Sequence, residues 1–120
     1  MTLRETPSAQ IVREAKKETV VTDARGRRIR LARPSVLAEY KLTLVVGAEA
    51  AANRTYMQML YPLLYVTAID DDPVFFPAKA IEIDALIQRL EDDGVDAVLK
   101  GVAGQLAEDE PEGEREAIKN

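Results

Sequence analysis

Two short segments near the N-terminus carry β-branched and apolar residues in the spacing of strands. Thr19–Thr22 consists entirely of β-branched residues, and Arg28–Leu31 alternates polar with apolar side chains. Asp23–Gly26, which lies between them, has the residue types that tight turns prefer. The pattern therefore predicts a β-hairpin over residues 18–33.

Helical spacing replaces this alternation after Pro34. Four apolar residues fall on one helical face, namely Val36, Leu37, Tyr40 and Leu44. Ser35 is placed to cap the start of a helix, and Gly47 is placed to end it. We predict a first helix over about residues 35–46.

The middle of the chain predicts one longer helix followed by an extended piece. The helix covers residues 53–69, with Asn53 as its cap and a kink at Pro62. Asp70–Asp72, which a proline follows, ends it. Val74–Pro77 is bounded by prolines, so we predict a short extended segment that crosses or covers the core.

The clearest helical periodicity lies beyond Pro77. Apolar residues recur at intervals of three and four positions at Ile83, Leu86, Ile87 and Leu90. The same spacing recurs at Val95, Val98, Leu99 and Val102. Because Asp93 and Gly94 separate the two sets, we predict two helices, over residues 79–92 and 95–106.

Together these elements predict a mainly α protein with an N-terminal β-hairpin. This is an α+β domain of about four helices over residues 18–106. Residues 1–17 mix charges without a clean period, which predicts a flexible N-terminal arm. Residues 107–120 are rich in acidic side chains and include a proline and a glycine, which predicts a disordered acidic tail.

The residue inventory removes most catalytic chemistry. The chain contains neither cysteine nor histidine, so it lacks thiolate nucleophiles, disulfides and imidazole bases. It also lacks the phosphate-binding loop and the nucleophile-elbow motif. Asp70–Asp72 could attract a hard cation, but the calcium-loop spacing is missing and an acidic turn is the preferred interpretation. We expect no enzymatic activity, no metal and no cofactor.

Charge is unevenly distributed along the chain. The net charge is −5, yet residues 1–33 carry nine Lys and Arg against four Asp and Glu. The hairpin arginines are Arg25, Arg27, Arg28, Arg30 and Arg33. Three interpretations stay open: a solvated strand face, which is favoured, a surface that steers an acidic protein, and a phosphate-binding ribbon. The acidic pI of about 4.8 and the lack of an aromatic residue among these arginines argue against nucleic acid.

The N-terminus and the hydropathy pattern indicate a cytoplasmic protein. Residues 1–10 lack the apolar core of a secretory signal. The longest apolar stretch, Met59–Ile69, is shorter than the roughly 20 residues that span a bilayer. We expect no membrane association.

The segment from Tyr56 to Ile69 has apolar residues nearly all round its predicted helix. A helix that is apolar on every face must be buried on every face, which is difficult in a small domain. Two interpretations are therefore open: a central core helix, or a helix partly left for a partner or a second copy. The candidate contact residues are Tyr40, Tyr56, Met57, Leu60, Tyr61, Leu64 and Tyr65, together with Arg25, Arg27 and Arg28 on the hairpin.

Several short motifs occur together over about residues 18–103. They are a D-x-x-G-R hairpin at Asp23–Arg27, a helical middle, an I-D-x-x-P-V-x-x-P segment at Ile69–Pro77 and the helix at Ile83–Leu90. In this combination the chain resembles the tail assembly chaperone-like proteins of tailed bacteriophages and prophages. Two departures concern local geometry: Asp71 and Asp72 replace a more usual Asp-Gly turn, and Ala78 replaces a capping Ser or Thr.

The resemblance implies a non-enzymatic protein of the infected or lysogenic bacterial cell. Such a protein keeps the tape measure protein soluble, helps to recruit tail tube subunits, and stays out of the finished virion. Two other functions remain open: a structural head-to-tail or tail component that oligomerises through the apolar helix, and a small acidic inhibitor that mimics nucleic acid.

Overall fold

The N-terminal hairpin forms where the alternation predicts it. In the computed structural model, which describes residues 18–108, strand β1 spans Glu18–Thr22 and strand β2 spans Arg28–Ala32. The two strands pair in antiparallel register. On β2, Ile29 and Leu31 are fully buried, whereas Arg30 between them is exposed. The period of two therefore separates a core face from a solvent face, as it does in a half-buried strand.

Two further strands extend the hairpin into a four-stranded antiparallel sheet. Strand β3, Val66–Ile69, pairs with β2, and the short strand β4, Asp72–Pro73, pairs with β3. The turn between β3 and β4 consists of Asp70 and Asp71, whose φ angles are 49° and 67°. Positive φ at both central residues is typical of a two-residue type I′ hairpin turn, where aspartate is tolerated.

Three short helices lie between β2 and β3. Helix α1 spans Val36–Val46, as predicted; α2 spans Ala48–Ala52, a segment for which no helix was predicted; and α3 spans Arg54–Leu60. The Ser35 hydroxyl accepts a hydrogen bond from the Ala38 N–H at 3.1 Å and caps α1. The Asn53 side chain likewise accepts from the Tyr56 N–H at 3.0 Å and caps α3. Both predicted caps are confirmed.

The prediction of one helix over residues 53–69 is wrong in its second half. A 3₁₀ turn at Tyr61–Tyr65 follows the end of α3, and the chain then enters β3. Pro62 lacks the N–H that a continuing α-helix needs, so the helix tightens and ends there. The β-branched residues that follow pair with the free side of β2, and this pairing overrides the helical spacing.

The C-terminal helix α4 spans Ala80–Glu108 and contains one non-helical residue, Glu91, at φ 57° and ψ −171°. The two predicted helices are therefore the two halves of α4. The break lies at Glu91 rather than at Asp93 and Gly94. The second half also continues to Glu108, two residues beyond its predicted end.

The core lies between α4, the inner face of the sheet and the 3₁₀ turn. The second half of α4 packs directly on the hairpin. At Gly101, an added Cβ would lie 2.6 Å from Leu31 Cδ1 and 2.7 Å from Val21 Cγ1, so the absence of a side chain permits this close approach. The α+β class, mainly helical with an N-terminal hairpin, is confirmed.

The interpretation of residues 1–17 as an arm lies outside the described residues, as does that of 107–120 as a tail for all but its first two residues, which belong to α4. Within residues 18–108, no helix combines the length and the hydropathy needed to cross a bilayer.

Candidate partner-binding surface

Helix α1 presents its apolar residues to solvent. Val36, Leu37, Tyr40 and Leu44 are 66%, 61%, 71% and 82% exposed. Because they occupy positions i, i+1, i+4 and i+8, they fall within about 100° of the helix circumference. We call this set of four the α1 face. A contiguous exposed apolar patch of this kind marks a surface used for interaction more often than scattered single residues do.

The opposite side of α1 is attached to the rest of the molecule. Leu42 is buried in the core, and Val45 and Val46 pack partly against it. The Tyr61 hydroxyl donates a hydrogen bond to the Glu39 carboxylate, which ties α1 to the 3₁₀ turn. These contacts fix the rotation of α1 about its axis, and they leave the α1 face outward.

A groove of about 180 Å³ lies at the start of α1. Its walls are Pro34 and Ala38 on one side, the 3₁₀ turn on the second, and the segment Val74–Pro77 on the third. Phe75, on that segment, is 84% exposed. We call this feature the α1 groove. It adds a concave element and an aromatic side chain to the apolar patch.

A second depression, of about 380 Å³, lies on the other side of the same segment, against the first half of α4. Its walls include Leu86 and Arg89. The Val74 N–H donates to the Thr67 carbonyl at 2.9 Å, so the start of the segment is fixed to the sheet. Phe75 and Phe76 therefore stand between two depressions.

The candidate contact residues of the middle segment divide between core and surface. Leu60 and Tyr65 are 3% and 1% exposed, so they are core residues and not contact residues. Tyr56, Met57 and Leu64 are half-buried and pack against the core. Of the two interpretations of this segment, the structure favours the core element. Among the apolar residues predicted to contact a partner, Tyr40 of the α1 face has the most solvent-exposed side chain.

Tyr61 has a structural role that its sequence position does not reveal. Burial raises the pKa of its hydroxyl, and the hydrogen bond to Glu39 raises that pKa further. Its ring meets the ring of Tyr65 edge to face, with centroids 6.0 Å apart. The phenol stays protonated and donates to the carboxylate, so Tyr61 joins α1 to the core.

Arg27 serves the fold and is not available to a partner. Its Nη1 donates to the Arg89 carbonyl at 2.8 Å, and its Nη2 donates to the Leu90 carbonyl at 2.6 Å. Its Nε donates to Asp23 at 2.8 Å. The guanidinium therefore caps the carbonyls that are freed where α4 breaks at Glu91, as a cation at a helix C-terminus does.

Asp23, in the hairpin turn, holds the Arg27 guanidinium in position at the break of α4; we call these contacts of Arg27 and Asp23 the Arg27 clamp. One of its carboxylate oxygens accepts from the N–H groups of Arg25 and Arg27, each at 2.9 Å. Burial by itself raises the pKa of Asp23, but the hydrogen bonds from Arg27 and Arg25 outweigh it and hold the pKa below its usual range. The side chain is ionised at neutral pH and fully enclosed.

The remaining two predicted hairpin contacts are exposed. Arg25 forms ion pairs with Glu91 at 2.8 Å and with Asp93 at 3.8 Å, on half-exposed side chains. The exposed Arg28 uses its backbone N–H to bind the Asp70 carboxylate at 2.8 Å. Exposed pairs of this kind contribute little, so Arg25 can exchange its partner, and the Arg28 guanidinium is open to solvent.

Asp70–Asp72 form the acidic turn that the residue types predict. Asp71 pairs with Arg30 at 3.3 Å, and Asp72 pairs with Arg89 at 2.7 Å. Within residues 18–108, no group of three acidic side chains is arranged to hold a metal ion. The internal pairs also reduce the free negative charge that a nucleic-acid mimic would present at this turn.

Sequence reasoning did not identify Phe75 or the two depressions beside it. The available signal is a pair of phenylalanines between two prolines, which predicts a cover for the core. A proline-bounded segment fixes backbone direction but leaves open which side chains face inward. Only the positions of α1 and α4 decide that Phe75 faces outward.

Comparisons with protein-family models, with curated proteins and with solved structures find no match to this chain.

Proposed function

We propose that this protein is a phage tail assembly chaperone that binds an amphipathic helix of the tape measure protein. The observation that carries the proposal is the α1 face, four apolar side chains held outward on a capped helix. The motifs shared with tail assembly chaperone-like proteins support the identity of the client. The protein acts by contact, without catalysis, in the cytoplasm of the bacterial host, and it aids recruitment of tail tube subunits.

The shape of the surface suits a helical client. The i, i+4 and i+8 residues of α1, Val36, Tyr40 and Leu44, form a ridge of the kind that packs into the groove of another helix. The α1 groove and Phe75 then receive the end of the client's apolar stripe. Binding of an amphipathic helix through such anchors is a recurring mode of peptide recognition.

The expected energy suits a reversible complex. Fully burying one large apolar side chain contributes about 1.5–3 kcal/mol. The α1 face and Phe75 offer five such side chains, and association costs about 4–15 kcal/mol. The gain and the cost are of similar size, so we expect a reversible complex of modest affinity.

Co-expression with a phage tape measure protein tests the proposal. We expect the wild-type chain to raise the soluble fraction of the client, and the variant Tyr40→Ser/Leu44→Ser to lose this effect. Leu106→Ser is the matched control, because Leu106 is also half-exposed, 50%, but lies near the end of α4. Client solubility equal to that of an empty vector would refute the chaperone function.

A structural role in the virion is the second candidate, because the α1 face would equally suit a permanent interface. The two roles differ in where the protein ends up. Mass spectrometry of purified virions decides between them: a chaperone is absent from the particle, whereas a tail component is present in fixed copy number.

A further inference from the structure

Building on the proposed function, we infer that the client helix carries acidic residues along one border of its apolar stripe, where Lys41 and Arg33 of this chain receive them. The α1 face is bordered by Lys41, which lies one turn beyond Leu37 on α1 and is exposed. The exposed Arg33 precedes α1 and lines the α1 groove together with Phe75. Both cations therefore lie beside the apolar surface.

These two cations differ from most other basic residues of the described chain. Arg25, Arg30 and Arg89 each form ion pairs with acidic residues of the protein itself, as does Lys100. Within residues 18–108, neither Lys41 nor Arg33 has an ion pair or a side-chain hydrogen bond. Their charges remain available to a partner.

The acidic residue of α1 does not oppose this charge. Glu39 lies toward the other border of the α1 face, and its carboxylate accepts the hydrogen bond from the Tyr61 hydroxyl. An apolar patch with a positive border thus stands out on a protein whose net charge is −5. Complementary potentials across an interface select partners and orient them.

The same charges argue against a second copy as the occupant. A two-fold interface through the α1 face would use the same patch on both subunits. It would therefore bring the Lys41 and Arg33 pairs of both copies into one interface, where like charges repel. A helix with an acidic border satisfies the apolar face and the cations together.

The inference is tested by measuring how the full 120-residue chain binds two designed helical peptides. Each peptide is about 20 residues long, so that it forms several helical turns. Both carry the same leucine stripe; one has glutamates at its border positions and the other has lysines. We expect fluorescence anisotropy to show about tenfold tighter binding of the glutamate peptide at low salt, a preference that fades in about 1 M NaCl as screening removes the attraction.

Charge reversal supplies the specific control. The variant Arg33→Glu/Lys41→Glu should prefer the lysine peptide. Lys41→Glu alone should reduce the glutamate preference, whereas Lys100→Glu, an equal change of charge at an exposed residue in the second half of α4, should leave it intact. Circular dichroism verifies that each variant is folded.

The outcomes separate this inference from the proposed function. If both peptides bind equally, or if neither binds while the tape measure protein is still kept soluble, the inference is wrong and the chaperone proposal stands. If neither peptide binds and the client is not kept soluble, both fail. Concentration-dependent dimerisation that Leu44→Ser abolishes would show that a second copy covers the α1 face, and would overturn the inference.

Discussion

Helices α1 and α4 are both rich in apolar residues, but α4 packs most of its larger ones into or against the core, whereas α1 exposes the α1 face to solvent. In α4, residues such as Leu90 and Val98 are fully buried, because the sheet and the 3₁₀ turn lie against that side. In α1, Tyr40 and Leu44 are mostly exposed, since no other element of the described chain covers them. Apolar periodicity marks a face that needs a partner, and it leaves open whether the partner belongs to the same chain.

The two helices also differ in how they are attached. The guanidinium of Arg27 binds two carbonyls of α4 at its break. At Gly101, which has no side chain, α4 packs directly against β2. α1 is attached by Leu42 and by the bond between Glu39 and Tyr61. α4 therefore forms a large part of the core, whereas α1 contacts the core on one side and exposes the α1 face on the other.

The largest effect is expected from one leucine truncation made in each helix. Leu90→Ala should lower the free energy of unfolding by about 2–5 kcal/mol, because it leaves a cavity in the core. Leu44→Ala should change it by less than about 0.5 kcal/mol, as exposed substitutions usually do. Urea denaturation measures both. Equal losses would show that α1 is as deeply packed as α4.

A pair of glycines in α4 gives the next largest contrast. Gly101→Ala should destabilise the protein by about 1–3 kcal/mol through overpacking, because its Cβ would press on the buried Leu31. At Gly104 an added Cβ would have no neighbouring atom within 4 Å, so Gly104→Ala should stabilise by about 0.5–1 kcal/mol through reduced backbone entropy. Thermal unfolding compares them. Stabilisation by both changes would contradict the close packing of α4 on the hairpin.

Because of the Arg27 clamp at the break of α4, we expect substitutions of the neighbouring Arg27 and Arg28 to differ in their effect on stability. Arg27→Ala should lower the free energy of unfolding by about 1–3 kcal/mol, because Asp23 and two helix carbonyls lose a donor. Arg28→Ala should alter it by less than about 0.5 kcal/mol, since its side chain is exposed. Hydrogen exchange of amides near Glu91 should increase in the first variant alone. Similar behaviour of the two variants would show that the Arg27 guanidinium does not hold the break of α4.

The smallest effect concerns pH. The folded-state pKa of Asp23 lies below its usual range, and so below its unfolded value of about 3.9. At pH values near and between these two pKa values, the unfolded state therefore binds more protons than the folded state. The stabilisation is thus present above the unfolded pKa and is lost as pH falls through the folded pKa. Asp23→Asn should flatten the fall in stability that begins below about pH 5. The exposed Asp84→Asn serves as the control, and an equal change in both would exclude a special role for Asp23.

Local chemistry made much of this fold predictable. The alternation of Arg28–Leu31 determines the hairpin, and the hydroxyl of Ser35 and the amide of Asn53 determine where α1 and α3 begin, because a cap needs only its own helix. The α1 residues were correctly grouped on one helical face. Among the apolar residues predicted to contact a partner, Tyr40 is the one most exposed to solvent.

The errors arise where distant residues compete with local preference. The helical spacing beyond Leu60 gave way to pairing with β2, a strand that lies more than thirty residues earlier in the chain. The break of α4 moved to Glu91, where Arg27 from the hairpin reaches the carbonyls of the preceding residues. Leu60 and Tyr65 were counted among contact residues because a pattern that is apolar on all sides does not show which side is covered.

The sequence by itself determined the hairpin, the helix caps at Ser35 and Asn53, and the absence of thiol and imidazole chemistry, since these depend on residue type and near neighbours. Only the tertiary structure decided which apolar residues are enclosed and which are displayed. Burial depends on what lies opposite a side chain in space. For the inward side of α4 that is the sheet and the 3₁₀ turn, and for the α1 face it is solvent.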